Sequence, residues 1–391
     1  MGRRMPLPSR TLAAAIPLAL LASIASAGQP RTLKLHFPRL SIPGGTNPEA
    51  CVLVRVPSAT PFDVASIEIR HRGVGHTFAV QHFLVHLYTG EQLGEFEAER
   101  GHVVESRGCL DLGPADRDRR QLVASGTAAR SRSGFPPGVA LRLAPVSDTP
   151  GGPPAGLGFT LDGEWVNGTA RTHRPSALVV LHRARPKAVT RVALPFSDRS
   201  AEAGLLVAPG QVASTEALAG GQQAAWGPGR PGGPDTGACV LMVTGQMHKR
   251  GRFLGVDLIG PDGTVENPAG GTPNPFEPGR SHLFGAIDWT DEGTLVRAHP
   301  VALGMGQALH YACWDDNGEM RSLRLGCGQA SGTAPGEVGA PAQQCTTDTD
   351  CPAMNPDCRS ANLVAGPTPE DEICRLNGIY FPADPVSGCP P

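Results

Sequence analysis

The chain has 391 residues, 34 Lys plus Arg against 36 Asp plus Glu, and a formal net charge of −2. No basic patch or arginine stripe breaks that balance, which speaks against a nucleic-acid partner. The length exceeds one typical domain of ~100–200 residues, so two domains are expected.

The chain opens with Arg3, Arg4 and Arg10, an uncharged run over 11–24, and Ala25-Ser26-Ala27, whose small side chains suit a signal peptidase. This is the pattern of a cleaved secretory signal over residues 1–27. Its apolar stretch is shorter than the ~20 residues a bilayer core demands, and no later run is long enough to span a membrane. A secreted, periplasmic or cell-envelope location is therefore expected. Ten cysteines follow the signal, at Cys51, Cys109, Cys239, Cys313, Cys327, Cys345, Cys351, Cys358, Cys374 and Cys389. An even count in an exported chain favours five disulfides over zinc, whose paired CxxC knuckles are missing; composition leaves the pairing open.

Fifty glycines and 39 prolines punctuate the chain too often for long helices. Short apolar or alternating runs lie between the breaks, at 51–56, 77–88, 139–143, 177–182, 189–195, 240–243, 253–259 and 307–314. They predict an all-β chain of two antiparallel β-sandwich, jelly-roll-like domains. The best helical candidate is the acidic stretch 91–100. The expected organisation is an N-terminal sandwich over 31–198, a linker with a Gly/Pro-rich loop over 199–238, and a C-terminal sandwich over 239–391. The stretch 219–237 has almost nothing to bury and predicts a mobile loop. A cystine-rich insertion at about 326–366 interrupts the second sandwich and is too poor in apolar groups to fold by burial.

Two segments carry candidate chemistry. On a strand through 80–88, His82 and His86 share a face but sit ~13 Å apart at ~3.3 Å rise per residue, so they do not chelate one ion together. If a second strand runs through to His248, Gln246 and His248 project to one face while Met247 points into the packing. His173 and His282 read as residues of polar turns, and His310 lies in an alternating strand beside Cys313. His86, His173, His282, His299 and His310, with Met242, Met305 and Met320, are the remaining soft or borderline donors. No G-x-S-x-G elbow, P-loop or HExxH is present, and Asn167-Gly168-Thr169 fits a glycosylation sequon.

Five segments together resemble one family. Gln246-Met247-His248-Lys249-Arg250-Gly251 resembles the His-x-His segment of the copper type II, ascorbate-dependent monooxygenases, the family of peptidylglycine α-hydroxylating monooxygenase and dopamine β-monooxygenase. Residues 80–85 resemble its His-His pair, and 159–168, with Glu164-Trp165-Val166-Asn167, its His-Tyr-x-Asn segment. Residues 309–317 and 370–380 resemble the two closing segments, and the likeness runs in the family's order from about residue 33 to 382. It implies two sandwiches that present one copper each to a cleft between them, with ascorbate as reductant and C–H hydroxylation as the reaction. It also implies bridges Cys51–Cys109 and Cys313–Cys374, with pairing inside the insertion among Cys327, Cys345, Cys351 and Cys358, which leaves Cys239 for Cys389.

Carried over by position, the first copper site reads Gln81, His82 and Glu164, and the second Gln246, His248 and Ile373. Only His82 and His248 retain the family's ligand type. Glu164 is a hard donor and Ile373 has no lone pair, so preformed copper sites are not expected. Three functions are therefore in play. One is a non-catalytic relative that binds a small molecule or protein in the interdomain cleft, the second an active copper hydroxylase with rearranged ligands, and the third a structural or adhesive envelope protein.

Overall fold

Strand residues point alternately to opposite faces, and the chain's longest apolar runs use that rule to feed two cores. In Phe78–Tyr88 the side chains of Phe83, Val85 and Leu87 enter one core, while His82, Leu84 and His86 face the other way. The computed structural model describes residues 30–75, 78–98, 103–105, 109, 119–219, 237–267, 271–286, 295–304, 306–321, 325–327, 349, 351, 358–365, 372–384 and 389. The expected signal, the Gly/Pro-rich loop and most of the cystine-rich insertion lie outside these residues. From Thr32 onward the chain forms one compact unit.

Three sheets build two sandwiches. A six-stranded sheet runs in the order Val103–Glu105, Glu49–Pro57, Pro154–Asn167, Phe78–Tyr88, Arg120–Ser125, with Val146–Ser147 added beside Pro154–Asn167. A nine-stranded sheet runs Thr32–Phe37, Ser176–Arg183, Phe62–Arg72, Val139–Leu143, Arg191–Asp198, Cys374–Pro382, Ala238–Met247, Leu295–Leu303, with Arg130–Gly134 beside Phe62–Arg72. A four-stranded sheet runs Gln211–Ala219, Ala308–Asn317, Gly251–Ile259, Phe284–Ala286. The first half of the nine-stranded sheet packs on the six-stranded one around Leu35, Ile67, Phe83, Phe159, Leu161 and Trp165. Its second half packs on the four-stranded sheet around Phe196, Leu254, Tyr311, Leu376 and Tyr380.

The halves meet in one strand. Arg191–Asp198 pairs parallel to Val139–Leu143 through Arg191, Val192 and Ala193, then antiparallel to Cys374–Pro382 from Leu194 to Asp198. Ala193 belongs to the first core and Phe196 to the second. Helix among the described residues is confined to single turns such as Glu95–Ala98, inside the acidic stretch that predicted it.

Three bridges fasten the frame: Cys51–Cys109, Cys239–Cys389 and Cys313–Cys374. Cys351 and Cys358 are also disulfide-bonded. Because the other six cysteines close on one another, their partners come from within the insertion. No helix among the described residues is long and apolar enough to cross a membrane.

Candidate functional site

The site begins with a β-bulge. Glu164 pairs with His82, but the next residue, Trp165, pairs with Val80, so Gln81 is the extra residue in its strand. A bulge sets two residues of one strand against one of its neighbour and re-aims them, and here it brings Gln81 and His82 together opposite Glu164. On the other side of Pro154–Asn167, Asp162 pairs with Cys51 and Glu164 with Glu49. Directly paired residues share a face, so Glu49, Asp162, Glu164, Thr160, His82 and His86 line the side of this sheet turned away from the first core.

The contacts among them are short. His82 Nε2 lies 3.3 Å from Asp162 Oδ1 and His82 Nδ1 3.5 Å from Glu164 Oε2. Donor atoms of Glu49, His82 and Asp162 all lie within 4.8 Å of one another. The Cys51–Cys109 bridge carries the Cys109 amide to Glu49, where it donates to Oε1 at 3.4 Å. Burial and the neighbouring charge of Asp162 push the Glu49 carboxyl up to about 8. Glu164 is also raised, first by burial, with His82 opposing.

Farther along the same face His86 is only 2% exposed, and neither of its ring nitrogens has a hydrogen-bond partner. Burial holds it neutral, down to about 3. Thr160 Oγ1 and Gln81 Oε1 are likewise buried and unpartnered.

The second predicted trio sits at the end of Ala238–Met247. The strand stops at Met247, so the expected continuation to His248 is corrected: His248 opens a tight turn in which the Gly251 amide donates to its carbonyl at 2.9 Å. Glu372, fully buried, holds that turn by accepting from the backbone amides of His248, Arg250 and Ile373. Met247 pairs with Cys374 and Gln246 with Arg375, which leaves Ile373 one step beyond the ladder on the His248 side. Ile373 is 1% exposed and Met247 packs in the second core.

Thr244, Gln246, Arg375 and Asn377 form a buried polar patch, with Gln246 Oε1 and Asn377 Nδ2 unpartnered. Asn377 and Arg375 share the face of Ile379 and Phe381, which reach the first core. Arg375 lies within the electrostatic reach of His86, and Lys249 within that of Glu164.

The residues present do not fit copper. His82 offers its nitrogens among three carboxylates, which suit hard cations, and Ile373 gives no soft donor on the other side. Several candidate substitutes lie or are engaged away from these positions, and Met305 is outside the described residues. His310 Nε2 lies 3.1 Å from Glu216, His173 stacks on Phe78 at 4.6 Å, and Met320 is exposed. His282 departs from its expected polar turn: it lies in the short strand Ser281–His282, 1% exposed, between Asp257 at 2.7 Å and Asn274 at 3.0 Å.

Glu49, Asp162 and Thr160 were not expected at the site. Their signal is local: Glu49-x-Cys51 and Asp162-x-Glu164 place side chains on one strand face at successive same-side positions, but pairing those two strands required the fold.

No protein-family model matches the chain, and no curated protein does. Among solved structures the chain is similar to the major capsid protein P2 from Bacteriophage PM2, with TM-score 0.25 and 10% identity over 91% of this chain and 100% of that one. It is also similar to the STIV MCP, with TM-score 0.22 and 11% identity over 73% of this chain and 95% of that one. Likenesses at these TM-scores carry no argument about function.

Proposed function

We propose that this chain is an exported relative of the copper type II, ascorbate-dependent monooxygenases that no longer performs their oxygen chemistry and uses the polar layer between its sandwiches to bind a ligand. The observation that carries the reading is the register of the bulge: it sets Gln81 and His82 against Glu164, where the family resemblance asks for three ligands of one ion, and two of the three are not imidazoles. The bridges Cys51–Cys109 and Cys313–Cys374 stand where the resemblance places the family's cystines. Disulfides persist outside the reducing cytosol, which supports export.

A hydroxylase of this kind must hold copper in both oxidation states at two centres. One imidazole per centre and no thioether leave Cu(I) without a stabilising set. Anaerobic titration with Cu(I) and Cu(II), followed by ascorbate-dependent oxygen uptake, tests this. The expected result is no tightly held Cu(I) and oxygen uptake no faster than free copper gives. Combined Gln81→His, Glu164→His, Gln246→His and Ile373→Met changes are expected to create Cu(I) binding. Two copper equivalents held in both states at submicromolar affinity, about −8 kcal/mol or better, would overturn the reading in favour of an active hydroxylase. Assembly into large multimers with no dependence on small ligands would favour the envelope protein.

A further inference from the structure

Glu49, Asp162 and Glu164 converge on a single imidazole, and among the described residues no Arg or Lys forms an ion pair with any of the three. Charges held this close away from water are neutralised by a proton, by pairing or by a metal. The donor atoms of Glu49, His82 and Asp162 lie within 4.8 Å of one another, and Glu164 Oε2 is 3.5 Å from the same ring. Around an ion with bond lengths of ~2.0–2.2 Å, neighbouring donors stand about 3–4 Å apart. Small side-chain rotations therefore close the Glu49, His82 and Asp162 donors onto one centre, while Glu164 meets the other ring nitrogen.

A second observation is independent of the carboxylates. His86 lies on the same face of the same strand, 2% exposed, within the field of Asp162 and His82, and neither of its ring nitrogens is hydrogen-bonded. Gln81 Oε1, in the bulge beside His82, is buried without a partner. Buried polar groups are partnered in the great majority of cases, and the exceptions ask for an ion, a water or a ligand. Two such orphans beside a convergent donor set mark a place built around an occupant.

We infer that Glu49, His82 and Asp162 bind one divalent cation of the zinc or manganese kind, with Glu164, at the other ring nitrogen of His82, orienting the imidazole. Two carboxylates with one imidazole make a hard to borderline donor set, suited to these ions and unsuited to Cu(I). The site shares His82 and Glu164 with the proposed function and rests on that reading of the layer as one that has lost copper redox chemistry, while Glu49 and Asp162 are donors that the family resemblance does not supply. Gln81 adjoins His82 in the bulge, and His86 lies farther along the same face, within the electrostatic reach of Asp162.

The full exported chain, with its disulfides intact and stripped by a chelator, is titrated with Zn²⁺ by calorimetry and with Mn²⁺ by paramagnetic resonance. One equivalent of each ion is expected, with retention of zinc through gel filtration and a zinc-dependent rise in Tm. Asp162→Asn, which keeps the side chain's shape, and Glu49→Gln should each weaken binding at least tenfold. Glu216→Gln, which removes an exposed carboxylate beside His310, should leave it unchanged. The Mn²⁺ titration of the unaltered chain decides the matter even if a variant misfolds. Failure of the unaltered chain to saturate with either ion below about 100 μM, far weaker than a metal site of this donor number implies, overturns the inference; so does stoichiometric binding that both variants leave intact. Copper in both oxidation states would defeat the proposed function through a different titration, so the two failures are separable.

Discussion

Two buried clusters of this chain combine carboxylate with imidazole, and they are built in opposite ways. Around Asp257 every charge is met: Oδ1 accepts from His282 Nδ1 at 2.7 Å and from Asn267 at 2.6 Å, and Oδ2 accepts from Arg280 at 2.6 Å. The second nitrogen of His282 meets Asn274 at 3.0 Å. Around Asp162 the ledger is open, with three carboxylates to one imidazole, and with His86 and Gln81 carrying unpartnered atoms. Burial pushes Asp257 upward, but hydrogen bonds from His282, His310, Asn267 and Arg280 outweigh it and hold the carboxyl well below the ordinary range. In the other cluster burial and Asp162 drive Glu49 up against the opposing pull of His82 and the Cys109 amide, and among the described residues no Arg or Lys forms an ion pair with it. A closed network of this kind ties its strands together, whereas the open one of the same residue types is where the proposed cation would complete the pairing.

The largest expected effect comes from breaking the closed network. Asp257→Asn strips the charge from Arg280 and His282 and should cost ~3–5 kcal/mol, as removal of one partner from a buried ion pair does. Asp162→Asn in the metal-free protein should cost less than ~1 kcal/mol or raise stability, because it removes like-charge repulsion. Urea unfolding of the two variants side by side checks this, and equal losses would erase the distinction.

The next effect concerns the bridge under the open cluster. Replacing Cys51 and Cys109 by Ala should cost ~2–5 kcal/mol. It should also free the Cys109 amide from Glu49, so the variant is expected to lose zinc affinity as well as stability. Loss of the Cys313–Cys374 bridge, at comparable sequence separation, should lower stability and leave zinc affinity unchanged.

The two clusters should also give opposite responses to pH. Asp257 has a depressed folded pKa, so its contribution is present above the unfolded value near 3.9 and is lost as pH falls. Glu49 is raised from 4.5 to about 8, so its contribution is full below 4.5 and is lost as pH rises through about 8. Metal-free protein should therefore lose Tm between pH 5 and 8, and Glu49→Gln should flatten that slope. A slope unchanged in the variant would assign the loss to other groups, such as the buried pair Asp315 and Glu372, both raised by burial.

The smallest expected effect is that of His86→Leu. A buried ring with no hydrogen bonds gives up little when replaced by an apolar group of similar size, so the change at neutral pH should stay within ~1 kcal/mol. His86 is lowered to about 3; its contribution is present above the unfolded value near 6.5 and is lost as pH falls through about 3. The variant should accordingly resist acid better, by the pH of its unfolding midpoint.

Much of the fold was readable one strand at a time. The run 139–143 matches Val139–Leu143, and 177–182 falls within Ser176–Arg183, because β-branched residues between Gly and Pro signals mark strands locally. The strand Phe62–Arg72 lies outside the predicted runs although Ile67, Ile69 and His71 alternate with Glu68, Arg70 and Arg72; Glu68, on its charged face, is buried against Arg70 and Arg130. Cys374–Pro382 hid its role for another reason: its length suggests an ordinary strand, yet it joins the strand shared by both sandwiches to Ala238–Met247. At the site, His82, Glu164 and Gln81 were reached through resemblance, and the bulge that groups them left no local mark.

What the sequence by itself determined is the all-β class, the punctuation of the strands and the chemistry of each donor, because these depend on neighbours within a few residues. Only the tertiary structure decided that Glu49, from one strand, and Asp162 and Glu164, from another, meet His82 from a third. Register across a sheet is set by which faces bury together and by where a bulge shifts the ladder by one residue. The same holds for His282: its partners Asp257 and Asn274 lie 25 and eight residues away, and whether a histidine ends in a closed network or an open one is settled by the strands that fold across it.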